Sequence, residues 1–138
     1  MASPEQIRLS LERLPVETTR ALYYAEQFAI QSNTNIGLKQ LFRGVLQEMG
    51  IGKKGETLLV TSVLQRNGIN IEGFNNDLAL VIRDEDVKKL DANSEPRITP
   101  LVRTIINHAV DRARSRKRQE LAPSDLLVAI AKEAKLKA

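Results

Sequence analysis

The chain has 138 residues, of which 42% are hydrophobic and 28% are charged, and its formal net charge is +4. This length is typical of one domain with a buried core. The absence of cysteine excludes disulfides, thiolate metal sites and thiol nucleophiles. No apolar run approaches the roughly 20 residues that span a bilayer, and the N-terminal sequence lacks the pattern of a signal peptide. We therefore expect a soluble, cytoplasmic protein without a membrane partner.

In the first half of the chain, apolar residues recur with the 3.6-residue period of helices. A helix start is expected at Ser3-Pro4-Glu5, and Pro15 opens a stronger helix. One face of this second helix carries Leu22, Ala25, Phe28 and Ala29. Further helices are predicted over 36–48, 56–66 and 71–83, with Asn67-Gly68 as a left-handed helix end.

The second half begins with a polar connector over 84–96, in which 84–90 could form a short helix. Its acidic run Asp84-Glu85-Asp86 is typical of a solvated segment. Thr99-Pro100 and Pro123-Ser124-Asp125 then begin two more helices, Thr99 as the N-cap and Pro100 at the first helical position. No segment shows sustained period-two alternation, so the predicted fold class is all-α.

The two halves share a pattern that indicates an internal duplication. Ala25 and Ala29 match Ala109 and Ala113 at an offset of 84 residues. At an offset of 85, the second helix of each half also agrees: Ile36, Leu41, Phe42 and Val45 match Leu121, Leu126, Leu127 and Ile130. The prediction is one domain with a first repeat over about 15–83, a connector over 84–97 and a shortened second repeat over about 98–138.

Residues 98–113, with their Thr-Pro start and Ala-x-x-x-Ala helix, resemble the second repeat of the N-terminal domain of Clp-type AAA+ unfoldases. The stretch 22–46 looks like the first repeat, and 57–78, including 63–70, resembles the helix, the glycine turn and the further helix that follow it. The resemblance covers roughly 15–133 and implies a pseudo-twofold helical bundle without cofactor or catalysis. Such domains recruit polypeptide substrates or adaptor proteins to a hexameric AAA+ ring, and free-standing copies also exist.

The chain departs from that family at two helix starts, where members of the family carry a Glu-His pair. The corresponding residues are Lys39-Gln40 and Ser124-Asp125, and Pro15 stands where the first repeat would have threonine. In some members this glutamate and the helix-start threonine bind phosphoarginine. Lys39 would repel the guanidinium that a carboxylate attracts, so the departures argue against phosphoarginine recognition. Candidate partner-binding residues are Thr99, Arg103, Lys39, Ser124, Arg112 and Arg116.

Enzymatic chemistry is not indicated. His108 is the single histidine and has no evident partner ligand, which favours a surface or half-buried structural role. The glycine-rich stretch 50–57 lacks the spacing and the preceding strand of a phosphate-binding loop. No nucleophile–base pair can be identified, so we predict a protein that is not an enzyme.

A basic block, from Arg112 to Arg118, ends the helix that starts at Thr99. The block fits a solvated helix end, where cations meet the negative end of the helix dipole, or a docking patch for an acidic protein. A small basic nucleic-acid-binding protein is the alternative function, although no aromatic stacking platform lies nearby. Peptide or adaptor binding is expected on the apolar surface between the two repeats.

Overall fold

The computed structural model describes residues 16–50, 57–85, 87–91, 94–117 and 120–137. These residues form six helices: α1 (Val16–Ser32), α2 (Leu38–Glu48), α3 (Thr57–Arg66), α4 (Phe74–Asp84), α5 (Pro100–Ser115) and α6 (Pro123–Lys137). They contain no strand; two isolated β-bridges join Thr34 to Lys89 and Ile36 to Ile98. The all-α prediction is confirmed. The helix start predicted at Ser3-Pro4-Glu5, Pro15 and most of the glycine-rich stretch lie outside the described residues.

Helices α1 and α2 pack closely because small residues line their interface. Ala21, Ala25 and Ala29 are fully buried along α1. Opposite them, a Cβ added to Gly44 of α2 would lie 2.4 Å from the Ala21 carbonyl oxygen and 2.7 Å from the Ala25 nitrogen. The predicted alanine face is therefore the buried face. Leu22 and Phe28 lie at its edges, half-buried.

Helix α6 is the central element and packs against each of the other five described helices. Its side chains are buried continuously from Asp125 to Ala131, and again at Glu133 and Ala134. A helix that is apolar on most of its surface is stable only when it is enclosed. The predicted matches Leu126, Leu127 and Ile130 are all fully buried.

The predicted end of α3 at Asn67-Gly68 is confirmed. Gly68 has φ +75°, and the amide of Ile69 donates to the Leu64 carbonyl oxygen at 3.0 Å. The next helix begins at Phe74 instead of at position 71, because Asn70 forms a turn by accepting from the Glu72 amide at 2.9 Å. Gly73, with φ +74°, then directs the chain into α4.

The connector after α4 is not the short helix that 84–90 could have formed. Asp84 is the last residue of α4, and the described residues 85 and 87–90 are not helical. The Leu90 amide instead donates to the Asn33 carbonyl oxygen at 2.6 Å. This bond and the bridge between Thr34 and Lys89 hold the described residues 89 and 90 against the loop that follows α1.

None of the helices described in the structure has the length and the apolar character needed to cross a membrane.

Candidate functional site

The loop between α1 and α2 pairs with the segment that precedes α5. The Ile36 amide donates to the Arg97 carbonyl oxygen at 2.9 Å, and the Thr99 amide donates to the Ile36 carbonyl oxygen at 3.1 Å. The side chain of Asn35 adds a third bond by accepting from the Arg97 amide at 3.0 Å. This pairing brings the N-terminus of α2, from the predicted first repeat, beside that of α5, from the second.

The carboxylate of Glu85 joins the two helix N-termini. One oxygen accepts from the Leu38 amide at 2.6 Å, and the other accepts from the Thr99 hydroxyl at 2.6 Å. Thr99 is also the N-cap of α5, since its hydroxyl oxygen accepts from the Val102 amide at 3.3 Å. A carboxylate is favourable here because helix N-termini carry partial positive charge.

This arrangement corrects the interpretation of the acidic run in the connector. Glu85 is not simply solvated, because both of its oxygens bind other parts of the fold. Its close approach also requires the glycine that precedes α2. A Cβ added to Gly37 would lie 2.7 Å from Glu85 Oε1 and 2.6 Å from Val87 Cγ2.

The starts of α2 and α6 are capped in the same way. The Gln40 side-chain oxygen accepts from the Gly37 amide at 3.0 Å, and the Asp125 carboxylate accepts from the Ala122 amide at 2.9 Å. These residues are the second members of the Lys39-Gln40 and Ser124-Asp125 pairs. In both pairs the second residue satisfies backbone hydrogen bonds, which leaves the first, exposed Lys39 and half-buried Ser124, nearer to solvent.

Of the candidate residues in the basic block, Arg112 points inward. Its side chain is 13% exposed, its Nε lies 3.6 Å from Asp125 Oδ1, and its Nη2 donates to Asn67 Oδ1. Arg112 is therefore a structural residue that compensates the charge of a buried carboxylate. Arg114, Arg116 and Lys117 are exposed, and Arg118 lies outside the described residues.

A cleft of about 350 Å³ opens between the end of α4, the start of α5 and the end of α6. It is lined by Val81, Asp84, Glu85, Leu101 and Lys137. Val81 is buried and Leu101 is half-buried, so the cleft has an apolar component. Two exposed leucines each directly precede a lining residue in the sequence: Leu80 is 39% exposed and Leu136 is 77% exposed.

The sequence and the fold are both similar to those of known proteins. Residues 13–138 match the family model of the Clp repeat (R) N-terminal domain. The chain belongs to this family. Among solved structures, it is similar to the N-terminal domain of the caseinolytic protease associated chaperone ClpD from Arabidopsis thaliana, with a TM-score of 0.51 and 18% identity over 93% of this chain and 87% of that one. No curated protein gives a significant sequence match.

In this Clp N-terminal domain, the six candidate residues lie at four places. Thr99 and Lys39 lie where Glu85 links the starts of α2 and α5. The Thr99 hydroxyl donates to Glu85, and Lys39 directly follows Leu38, whose amide also donates to Glu85. Arg103 is exposed on the first turn of α5. Ser124 and Arg112 belong instead to the start of α6, through Asp125. Arg116 lies at the far end of α5, so the six candidates do not form one site.

The single histidine of the domain contacts a buried carboxylate. Glu133 on α6 has a side chain that is 7% exposed, with one oxygen 3.3 Å from His108 Nδ1 and the other 3.8 Å from Lys137 Nζ. His108 itself is exposed, which agrees with the predicted surface or half-buried position. The described residues contain no group of three or more side chains arranged to hold a metal ion.

Sequence reasoning placed partner binding between the repeats but did not identify the residues of the cleft. Val81, Leu101 and Lys137 come from three different helices. Each resembles an ordinary helix residue in its own segment.

Proposed function

We propose that this Clp N-terminal domain is a protein-binding module that recruits polypeptide substrates or adaptors to a Clp-type AAA+ unfoldase, with no catalysis of its own. The observation that carries the proposal is the cleft between α4, α5 and α6, with Val81 and Leu101 in its lining. Residues of three helices form its walls, and Glu85, at the end of α4, accepts a hydrogen bond from the start of α2.

The size of the cleft supports binding that is weak and reversible. Its volume of about 350 Å³ is at the lower end for ligand pockets and admits one or two side chains of a peptide. Burying each apolar side chain contributes about 1.5–3 kcal/mol, and the loss of translational and rotational freedom opposes it. Weak binding suits a recruiting domain, since the substrate must be released to the unfoldase.

Site-specific cross-linking tests the location, because the sequence has no cysteine that would compete with an introduced one. Leu80→Cys places a benzophenone label beside the cleft, and Val16→Cys places it on α1. Both positions are exposed, at 39% and 63%, so the substitutions should not disturb folding. The probe is reduced, carboxymethylated lactalbumin, which stays unfolded.

We expect the probe to cross-link to the label at position 80 and not to the label at position 16. Equal cross-linking at both positions, or none at either, would contradict recruitment through the cleft.

The exposed side chains of Arg114, Arg116 and Lys117 favour nucleic-acid binding as the second candidate function. Binding to phosphates would weaken steeply with salt because counterions are released. Titration of a fluorescent DNA duplex at two salt concentrations separates the candidates. Tight binding that is lost at the higher salt would support the nucleic-acid function, and the absence of binding at low salt would reject it.

A further inference from the structure

The described lining of the cleft carries more acidic than basic side chains, although the whole chain is basic. Among the residues that the structure describes, the lining includes Asp84 and Glu85 against one cation, Lys137. The ammonium of Lys137 is itself 3.8 Å from the carboxylate of Glu133, which is buried. The net charge of the full sequence is +4. The described lining therefore favours a cationic partner group over an anionic one.

One carboxylate of the lining is positioned to receive such a group. Both oxygens of Glu85 are bound to Leu38 and Thr99, but Asp84 is 68% exposed. Asp84 pairs with the neighbouring Arg83 at 3.0 Å, and Arg83 is 70% exposed. An exposed ion pair contributes little stability, so a guanidinium from a partner can replace it at low cost. Arginine can bind a carboxylate with two parallel hydrogen bonds.

Apolar side chains lie beside Asp84. Leu80 precedes it by one helical turn and therefore shares its face of α4. Val81 and Leu101 line the same cleft. An apolar side chain that contacts Val81 and Leu101 would leave an adjacent residue of the same peptide within reach of Asp84.

We propose that the cleft binds polypeptide segments in which an unmodified arginine stands next to a leucine-like residue, with Asp84 receiving the guanidinium and Val81 and Leu101 receiving the apolar side chain. This selectivity rests on the proposed recruiting function. Phosphorylation of the arginine would add about two negative charges. Asp84 and Glu85 would repel them, so the modification should weaken binding.

Fluorescence anisotropy with three matched peptides tests the selectivity. The peptides share a Leu-Arg-Leu core and differ only at the central residue, which is arginine, glutamine or phosphoarginine. An exposed ion pair corresponds to at most about a fivefold change in affinity, so the glutamine peptide should bind about twofold to fivefold more weakly and the phosphoarginine peptide more weakly still.

Asp84→Asn should bring the arginine and glutamine peptides to nearly equal affinity, and Asp84→Lys should make the glutamine peptide bind more tightly than the arginine peptide. Asp111→Asn is the matched control, because Asp111 is exposed on α5 and does not line the cleft. It should keep the preference of the parent chain. Since Asp84 is exposed at the end of its helix, these variants should fold.

Cross-linking from Leu80→Cys distinguishes the possible failures. Equal affinity for the arginine and glutamine peptides, with both cross-linked at position 80, would overturn the selectivity and leave the proposed function standing. A higher affinity for the phosphoarginine peptide would also overturn it. If the peptides do not cross-link at position 80 but unfolded lactalbumin does, only the selectivity fails; if neither cross-links there, the proposed function fails as well.

Discussion

Glu85 and Thr99 are 14 residues apart in the chain, and a hydrogen bond of 2.6 Å from the Thr99 hydroxyl to Glu85 Oε2 joins them. The other carboxylate oxygen accepts from the Leu38 amide. One side chain thus links the end of α4 to the starts of α2 and α5. Because Glu85 also lines the cleft, the same contact that joins these three helices fixes one wall of the candidate binding site.

Glu85→Ala should therefore destabilise the domain by about 1–3 kcal/mol, because a backbone amide and the Thr99 hydroxyl lose a charged acceptor. Urea unfolding followed by circular dichroism measures the change. Asp84→Ala is the matched control and should change stability by no more than about 0.5 kcal/mol, since its ion pair is exposed. Equal losses in the two variants would show that Glu85 does not join the helices.

Gly44→Ala tests the close packing of α1 against α2. Alanine favours helix by about 1 kcal/mol over glycine, so propensity alone predicts a more stable variant. The added Cβ would instead lie 2.4 Å from the Ala21 carbonyl oxygen, which forces the two backbones apart. We expect a net loss of about 1–3 kcal/mol in thermal or urea unfolding. Gln47→Ala, exposed on the same helix, should be nearly neutral. A stabilised Gly44→Ala variant would refute the close approach.

Arg112→Ala tests the inward orientation of that arginine. Asp125 is 1% exposed, and its charge is compensated partly by Arg112. Removing one member of a buried pair typically costs about 3 kcal/mol, because the remaining charge stays buried. The matched control, Arg114→Ala, should have little effect since Arg114 is exposed. Unfolding midpoints that are equal in the two variants would show that Arg112 is an ordinary surface residue.

Glu26 gives a prediction about pH. Partial burial raises the pKa of its carboxyl above the ordinary value of 4.5, and the neighbouring charge of Glu95 raises it further. A raised folded-state pKa means that the charged form is disfavoured in the folded protein at neutral pH. The penalty disappears as the pH falls through the folded pKa towards 4.5.

Glu26→Gln should consequently stabilise the domain at pH 7, by no more than about 0.5 kcal/mol because the site is partly solvated. Its advantage over the parent chain should shrink as the pH approaches the ordinary value of 4.5. Thermal unfolding of both proteins across this range is the measurement. An advantage that grows at lower pH would contradict the direction of the pKa shift.

Much of the local structure could be predicted from the sequence. The Thr99-Pro100 start, the Asn67-Gly68 end and the alanine face of α1 all depend on residues within a few positions of one another. The repeat boundaries predicted from the offsets of 84 and 85 residues stay predictions. The apolar periodicity predicts that α4 starts at position 71, three residues before its actual start at Phe74. The turn formed by Asn70 delays the helix.

The sequence by itself determined the helical class, most helix bounds and the small-residue surfaces, because helix periodicity and capping act over one or two turns. Only the tertiary structure decided that Glu85 joins two helix starts, that Arg112 turns inward, and that residues 81, 101 and 137 line one cleft. Those contacts depend on the angles and distances at which helices pack. The pattern within any single helix does not specify them.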